Sequence, residues 1–99
     1  MTRQELKEAN FEALMNAKRL LKKRKEACAV WENRCDEIEV QLTTYENLML
    51  VDDTPEMNHK LTKTYNKYRH YDYIYHKIVE ECEELEEAIV GLEKADYWL

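Results

Sequence analysis

One short stretch interrupts an otherwise continuous helical pattern. Val51-Asp52-Asp53-Thr54-Pro55-Glu56 contains the single proline and lies near the middle of the 99 residues. Thr54 can accept hydrogen bonds from the unpaired N–H groups of a following first turn, Pro55 suits the first helical position, and Glu56 complements the positive helix end. The stretch therefore predicts that one helix ends here and a second begins.

The position of the break decides the fold that we predict. It divides the chain into a helix over about 3–50, a turn at 51–55 and a helix over about 55–97. Two helices of similar length that reverse at one turn can pack along their whole extent. A charged fraction of 36% with one glycine is typical of long exposed helices. We predict a single all-α domain over 1–99, an antiparallel helical hairpin that resembles a coiled coil.

Apolar residues recur in both helices with the 3-4 alternation of a coiled-coil seam. Arg24 is the one charged residue in the pattern of the first helix. The first helix carries Leu14, Leu21, Cys28, Cys35, Leu42 and Met49, interleaved with Ala17, Arg24, Trp31, Ile38 and Tyr45. The second carries Leu61, Tyr68, Tyr75, Cys82 and Ile89, interleaved with Met57, Thr64, Tyr71, Ile78, Leu85 and Leu92.

Charge predicts how the two seams pair. Each helix has a basic block followed by an acidic one: 18–25 and 32–46 in the first helix, 60–77 and 80–87 in the second. An antiparallel hairpin sets each block against its opposite, whereas a parallel pair would set like charge against like. Exposed pairs contribute only a few tenths of a kcal/mol each, so they select orientation more than they add stability.

A turn centred near residue 53 places residue i opposite about 106 minus i. This register puts Arg24 near Glu81 and Glu86, which explains a charge in the seam. It also sets three tyrosines of the second helix against three seam residues of the first. These are Tyr68, Tyr71 and Tyr75, opposite Ile38, Cys35 and Trp31.

A two-helix hairpin buries less surface than a compact domain of the same length, so it gains stability by packing against another copy or a partner. Apolar and small residues outside the seam concentrate at the end away from the turn. We expect homodimerisation there into a four-helix bundle, with an elongated monomer as the alternative. The expected contact residues are Phe11, Ala13, Leu20, Ala27, Val79, Ala88 and Ala95.

The segment 64–77, TYNKYRHYDYIYHK, interleaves aromatic and basic residues. Such a composition can stack on nucleotides, so an RNA- or DNA-binding helical protein is one interpretation. A net charge of -6 argues against a general nucleic-acid binder. Because exposed tyrosine is favoured at protein interfaces, we expect a protein partner instead. The predicted partner-binding residues are Tyr65, Arg69, His70, Tyr73 and His76.

The glutamate run contains E-E-x-x-E twice, at Glu80 to Glu84 and at Glu83 to Glu87. This pattern resembles the magnesium motif of all-α nucleoside-triphosphate pyrophosphohydrolases of the MazG type. In that family the second acidic pair lies on a separate helix, whereas here Glu93 and Asp96 follow on the same one. Acids along one helix face solvent without forming a cage for magnesium. We therefore expect no enzyme, no metal and no cofactor, and keep this pyrophosphohydrolase as an alternative.

Cys28, Cys35 and Cys82 are an odd number without C-x-x-C spacing, which fits reduced thiols at apolar seam positions. No nucleophile and base can be paired. The chain has no run of 18 apolar residues and no signal-peptide pattern at its beginning. We expect a cytoplasmic protein without a membrane partner.

The last residues, EEAIVGLEKADYWL at 86–99, resemble the end of the coiled-coil arm in small phage and prophage transcription regulators of the sigma-like type. In those proteins the arm leads into a helix-turn-helix, which is absent here. The resemblance implies a phage-like origin and binding to another protein. We expect a non-enzymatic interaction module, such as a phage-type inhibitor or adaptor of a host macromolecular complex.

Overall fold

The computed structural model describes all 99 residues and contains two α-helices, α1 over Arg3–Val51 and α2 over Pro55–Trp98. The helices pack as an all-α antiparallel hairpin, which confirms the predicted fold class, and the predicted bounds agree to within one residue. Contacts group the chain into two units. We call residues 1–27 with 78–99 the end unit, and residues 28–77 the turn unit.

Both helices begin at a threonine cap. The backbone N–H of Glu5 donates to Thr2 Oγ1 at 3.1 Å, and the Thr2 hydroxyl lies 3.1 Å from Glu5 Oε1. In α2 the N–H of Met57 donates to Thr54 Oγ1 at 3.2 Å, which confirms the cap predicted from the break. Each threonine satisfies a backbone donor that the first helical turn leaves unpaired.

The core of the end unit is thin. Leu14, Cys82 and Ile89 are buried with 6–9% of their surface exposed, and no side chain of the protein is fully buried. Asn10 makes a polar contact across the seam, where its Nδ2 donates to the carbonyl of Leu92 at 2.9 Å. At the chain ends, Arg3 Nε donates to the carbonyl of Leu99 at 2.9 Å. The predicted seam residues of this unit are buried or half-buried, apart from Arg24.

The core of the turn unit centres on Ile38 and Leu42, which are 5% and 9% exposed. The predicted seam is confirmed, but its register differs by about one helical turn. Trp31 contacts Tyr71 edge-on with ring centroids 5.4 Å apart, and Tyr75 lies at Cys28 instead of Trp31.

The end of α1 explains this difference. Leu50 and Val51 continue the helix yet are 87% and 88% exposed, so the last turn of α1 extends past the residues that α2 covers. The three residues Asp52–Thr54 bring the chain back, with the N–H of Thr54 donating to the carbonyl of Asp52 at 3.2 Å. A register counted from the centre of the turn takes no account of this extension.

Neither helix contains an apolar stretch long enough to cross a lipid bilayer.

We predict that Thr54→Ala lowers the free energy of unfolding by about 1 kcal/mol, because the N–H of Met57 loses its acceptor. Urea unfolding followed by circular dichroism measures the change. The matched control is Thr62→Ala, which alters an exposed threonine inside α2 and should leave stability within about 0.5 kcal/mol of wild type. Equal effects of the two substitutions would contradict the capping role.

Candidate functional site

Chain reversal determines which side chains share a flank of the hairpin. With Leu14 and Leu61 taken as heptad position a, position e of α1 faces position e of α2, and g faces g. Ion pairs in the end unit show this arrangement. Lys18 Nζ lies 3.4 Å from Glu93 Oε1, and Lys25 Nζ lies 3.6 Å from Glu86 Oε1, all at position e.

The g positions of the end unit form a different surface. They are apolar or small except where Arg24 Nε, at position d, meets Glu81 Oε2, at position g, at 2.9 Å. That pair confirms the expected contact of Arg24, while Glu86 binds Lys25 instead. We call this surface the apolar flank, comprising Leu6, Ala13, Leu20, Ala27, Ala88 and Ala95.

The structure divides the predicted self-association residues between two flanks. Five lie on the apolar flank, but Phe11 and Val79 occupy position e, one heptad before Lys18 and Glu86 respectively. Leu6, 46% exposed, belongs to the apolar flank and was missed. Its spacing of seven residues from Ala13 is the signal that could have found it.

In the turn unit, four predicted partner-binding residues share one surface of α2. At about 100° per residue, Tyr65, Arg69, Tyr73 and His76 fall within an arc of about 80°. The side chains of Tyr65 and Tyr73 are 47% and 64% exposed, and both Arg69 and His76 are exposed. We call these four residues the tyrosine face.

His70 does not belong to the tyrosine face. It lies about 60° beyond the edge of that arc, at the heptad position of Lys63 and Lys77. Its ring contacts Tyr71 with a centroid distance of 6.4 Å.

Carboxylates lie along one side of the tyrosine face. His76 Nε2 lies 3.3 Å from Asp72 Oδ1. Asp72 raises the pKa of the Tyr68 hydroxyl, with burial and then Glu39 adding to the effect. Burial raises the pKa of Cys35, and Asp72, Asp36 and Glu39 raise it further. The acids of α1 therefore lie on the same flank of the turn unit as Asp72.

The direction of these pKa shifts indicates whether Cys35 is activated as a nucleophile. A nucleophilic cysteine needs a depressed pKa from a nearby cation, whereas the pKa of Cys35 is raised by burial and by acids. Burial likewise raises the pKa of Tyr75, followed by Glu32 and by a hydrogen bond with Cys28. The contact of His76 Nε2 with Asp72 Oδ1 thus lies on a helix surface and places no cation that would lower the pKa of Cys35.

Two acids of the glutamate run pair with α1 in the end unit, and Glu93 beyond the run does the same. Glu81, Glu86 and Glu93 pair with Arg24, Lys25 and Lys18. Their side chains are 43–53% exposed, so each pair is worth little in stability. The structure places no three His, Cys, Asp or Glu side chains close enough together to hold a metal ion.

Four basic residues of the turn unit do not pair with the acids of α1 as predicted. Lys60 binds Glu56 of its own helix at 3.6 Å, and Lys63, Lys67 and Arg69 form no ion pair with α1. The heptad positions of these charges explain why they do not pair. The acids of α1 recur at position e, as Glu32, Glu39 and Glu46, whereas Lys60 and Lys67 lie at position g. The blocks match in order along the chain but lie on opposite flanks.

The g positions of the turn unit form a groove between the helices instead. Two adjoining hollows share Ile38, Gln41 and Lys67 and make it continuous. We call it the lysine groove, lined by Arg34, Gln41, Lys60, Lys63 and Lys67. Sequence reasoning missed it, although the spacing of seven from Arg34 to Gln41 and from Lys60 to Lys67 was visible.

The chain matches no protein-family model, no curated protein and no solved structure.

We predict that the protein loses stability as pH rises above about 9, because Cys35, Tyr68 and Tyr75 have raised pKa values in the fold. Their ordinary pKa values are 9.0 for the thiol and 10.0 for the hydroxyls. The unfolded chain therefore ionises first, and the stabilisation present below these values is lost as pH passes the folded ones. Urea unfolding between about pH 8 and about pH 11 measures the loss.

The variant Tyr68→Phe/Tyr75→Phe should flatten this pH dependence. The control Tyr65→Phe/Tyr73→Phe changes the same residue type at exposed positions and should change the pH dependence much less, because Tyr65 is the smallest of the causes that raise the pKa of Tyr68. An equal flattening in both variants would contradict the assignment to the seam tyrosines.

Proposed function

We propose that the protein is a non-enzymatic protein-interaction module that binds a macromolecular complex of a host cell through its tyrosine face. A small phage-type inhibitor or adaptor would act in this way, in keeping with the resemblance of residues 86–99. The observation that carries the proposal is the exposure of Tyr65 and Tyr73 on the same helical surface as Arg69 and His76. Tyrosine and arginine are enriched where protein interfaces derive most of their binding energy.

The seam beneath this face supports its use for recognition. Tyr68 and Tyr75 are half-buried in the seam, and the edge-on contact of Trp31 with Tyr71 fixes α2 against α1. Exposed tyrosines on a well-packed helix lose little conformational entropy on binding, because only the side-chain torsions remain to be ordered. The tyrosine face is therefore preorganised for a partner.

The charges around the face favour a protein over a nucleic acid. Phosphates approaching Arg69 would also meet Asp72, Asp36 and Glu39, which lie on the same flank. Binding driven by phosphates requires a clear excess of positive charge. We therefore expect no shift of RNA or DNA by the purified protein at physiological salt.

We predict that a protein captured from the native cells by tagged wild type is lost with Tyr65→Ala/Tyr73→Ala. Removing both rings deletes most of the exposed aromatic area of the face, and a central tyrosine typically contributes about 2 kcal/mol or more to binding. Affinity purification with identification of the captured protein, followed by calorimetry with that protein, measures the loss.

The matched control is His70→Ala, which changes an exposed aromatic side chain of the same helix outside the face. Capture unaffected by the double substitution would contradict the proposed face. A nucleic-acid shift removed by Arg69→Ala/Lys77→Ala would favour the nucleic-acid alternative. Magnesium-dependent hydrolysis of a nucleoside triphosphate, removed by Glu84→Ala, would contradict the non-enzymatic proposal.

We propose further that two copies of the protein associate through the apolar flank of the end unit. Leu6 and Leu20 are 46% and 42% exposed there, and the alanines beside them let a second hairpin approach closely. The thin core leaves apolar surface that a dimer would cover.

We predict that wild type is dimeric at tens of micromolar and that Leu20→Glu is monomeric with its helicity retained. A carboxylate at this position would have to be desolvated against the second copy. Analytical ultracentrifugation measures the oligomeric state, and circular dichroism measures the helicity. Met15→Glu is the control, since Met15 is 44% exposed on the same helix but lies off the apolar flank. A monomeric wild type, or loss of the dimer in both variants, would contradict this interface.

A further inference from the structure

The lysine groove contains positive charge that the fold itself does not use. Arg34, Lys60, Lys63 and Lys67 line it, and Glu37 is the carboxylate among the lining residues. Lys60 is balanced by Glu56 at 3.6 Å, but neither Lys63 nor Lys67 pairs with an acid. Like charges held together cost free energy in the isolated protein, so an arrangement of this kind favours an anionic occupant.

Arg34 has a fixed position at one end of the groove. Its guanidinium lies 4.5 Å from the centre of the Trp31 ring, a cation–π contact. Because Trp31 itself packs edge-on against Tyr71 in the seam, the cation is anchored to the core of the turn unit. A guanidinium held in this way can donate two parallel hydrogen bonds to a carboxylate at small entropic cost.

We propose that the lysine groove is a docking site for a carboxylate-rich segment of a partner protein. The groove is open and elongated, because its two hollows, of about 170 and 240 Å³, adjoin along the helices. An open groove of this form suits an extended or helical segment lying along it. Gln41 adds an amide that can donate to the same segment.

The aromatic residues of the groove favour a protein segment over a nucleic acid. Tyr45 and Tyr71 are half-buried in the seam, so they do not form the exposed aromatic platform on which bases stack. This site is separate from the tyrosine face and does not depend on it.

Fluorescence anisotropy with a labelled octaglutamate peptide, at about 50 mM salt, tests the proposal on the full-length chain. Wild type should bind the peptide, and Lys63→Gln/Lys67→Gln should weaken binding by about tenfold, because two charge-assisted hydrogen bonds are lost. The matched control is Lys22→Gln/Lys23→Gln in the end unit, where both lysines are exposed and also without an ion pair. It changes the net charge by the same amount and should weaken binding by less than about twofold.

Four results would overturn the proposal. No binding by wild type would remove the site, and an equal loss in both variants would reduce it to diffuse attraction. Tighter binding of an octathymidylate than of octaglutamate would assign the groove to nucleic acid. A wild-type dimer that Lys63→Gln/Lys67→Gln dissociates would assign it to a second copy. Tyr65→Ala/Tyr73→Ala should bind octaglutamate as wild type does, which separates this test from that of the tyrosine face.

Discussion

The reversal of the chain at Asp52–Thr54 is the constraint on which the surfaces of this protein depend. Because the helices run antiparallel, residues at heptad position e meet others at e, and those at g meet others at g. The ion pairs Lys18–Glu93 and Lys25–Glu86 follow this rule. In a parallel pair, e would meet g and these partners would be separated. One turn thereby decides which charges neutralise each other and which remain available.

The consequence differs between the two units. In the end unit Lys18, Lys25, Glu86 and Glu93 share position e, so they pair, and position g is apolar or small apart from Glu81. In the turn unit Glu32, Glu39 and Glu46 of α1 lie at e whereas Lys60 and Lys67 of α2 lie at g, so these acids and lysines do not neutralise each other. The turn unit thus has an acidic flank beside the tyrosine face and a basic flank at the lysine groove. Both arise from heptad positions that the helices cannot change without shifting the seam.

Much of this fold could be predicted from the sequence because its strongest signals are local. Thr54 and Pro55 mark the start of α2, and the 3-4 alternation identifies the seam; both predictions are confirmed. The predicted register was wrong by about one helical turn. The extension of α1 to Val51, beyond the residues that α2 contacts, depends on packing and not on a local sequence signal. The lysine groove was not predicted, because the charged blocks were compared by their order along the chain and not by their heptad positions. Partners remain predictions, since no local pattern specifies them.

The thin core connects this architecture to function. A core whose most buried residues are still 5–9% exposed gains little from burial alone, and exposed ion pairs add little more. Such a hairpin has limited stability in isolation, so surfaces that a partner covers contribute in proportion to the area they bury. The apolar flank, the tyrosine face and the lysine groove differ in chemistry, so each proposal requires its own kind of partner. The proposed partners are a second copy for the apolar flank, a protein interface for the tyrosine face and an acidic segment for the lysine groove.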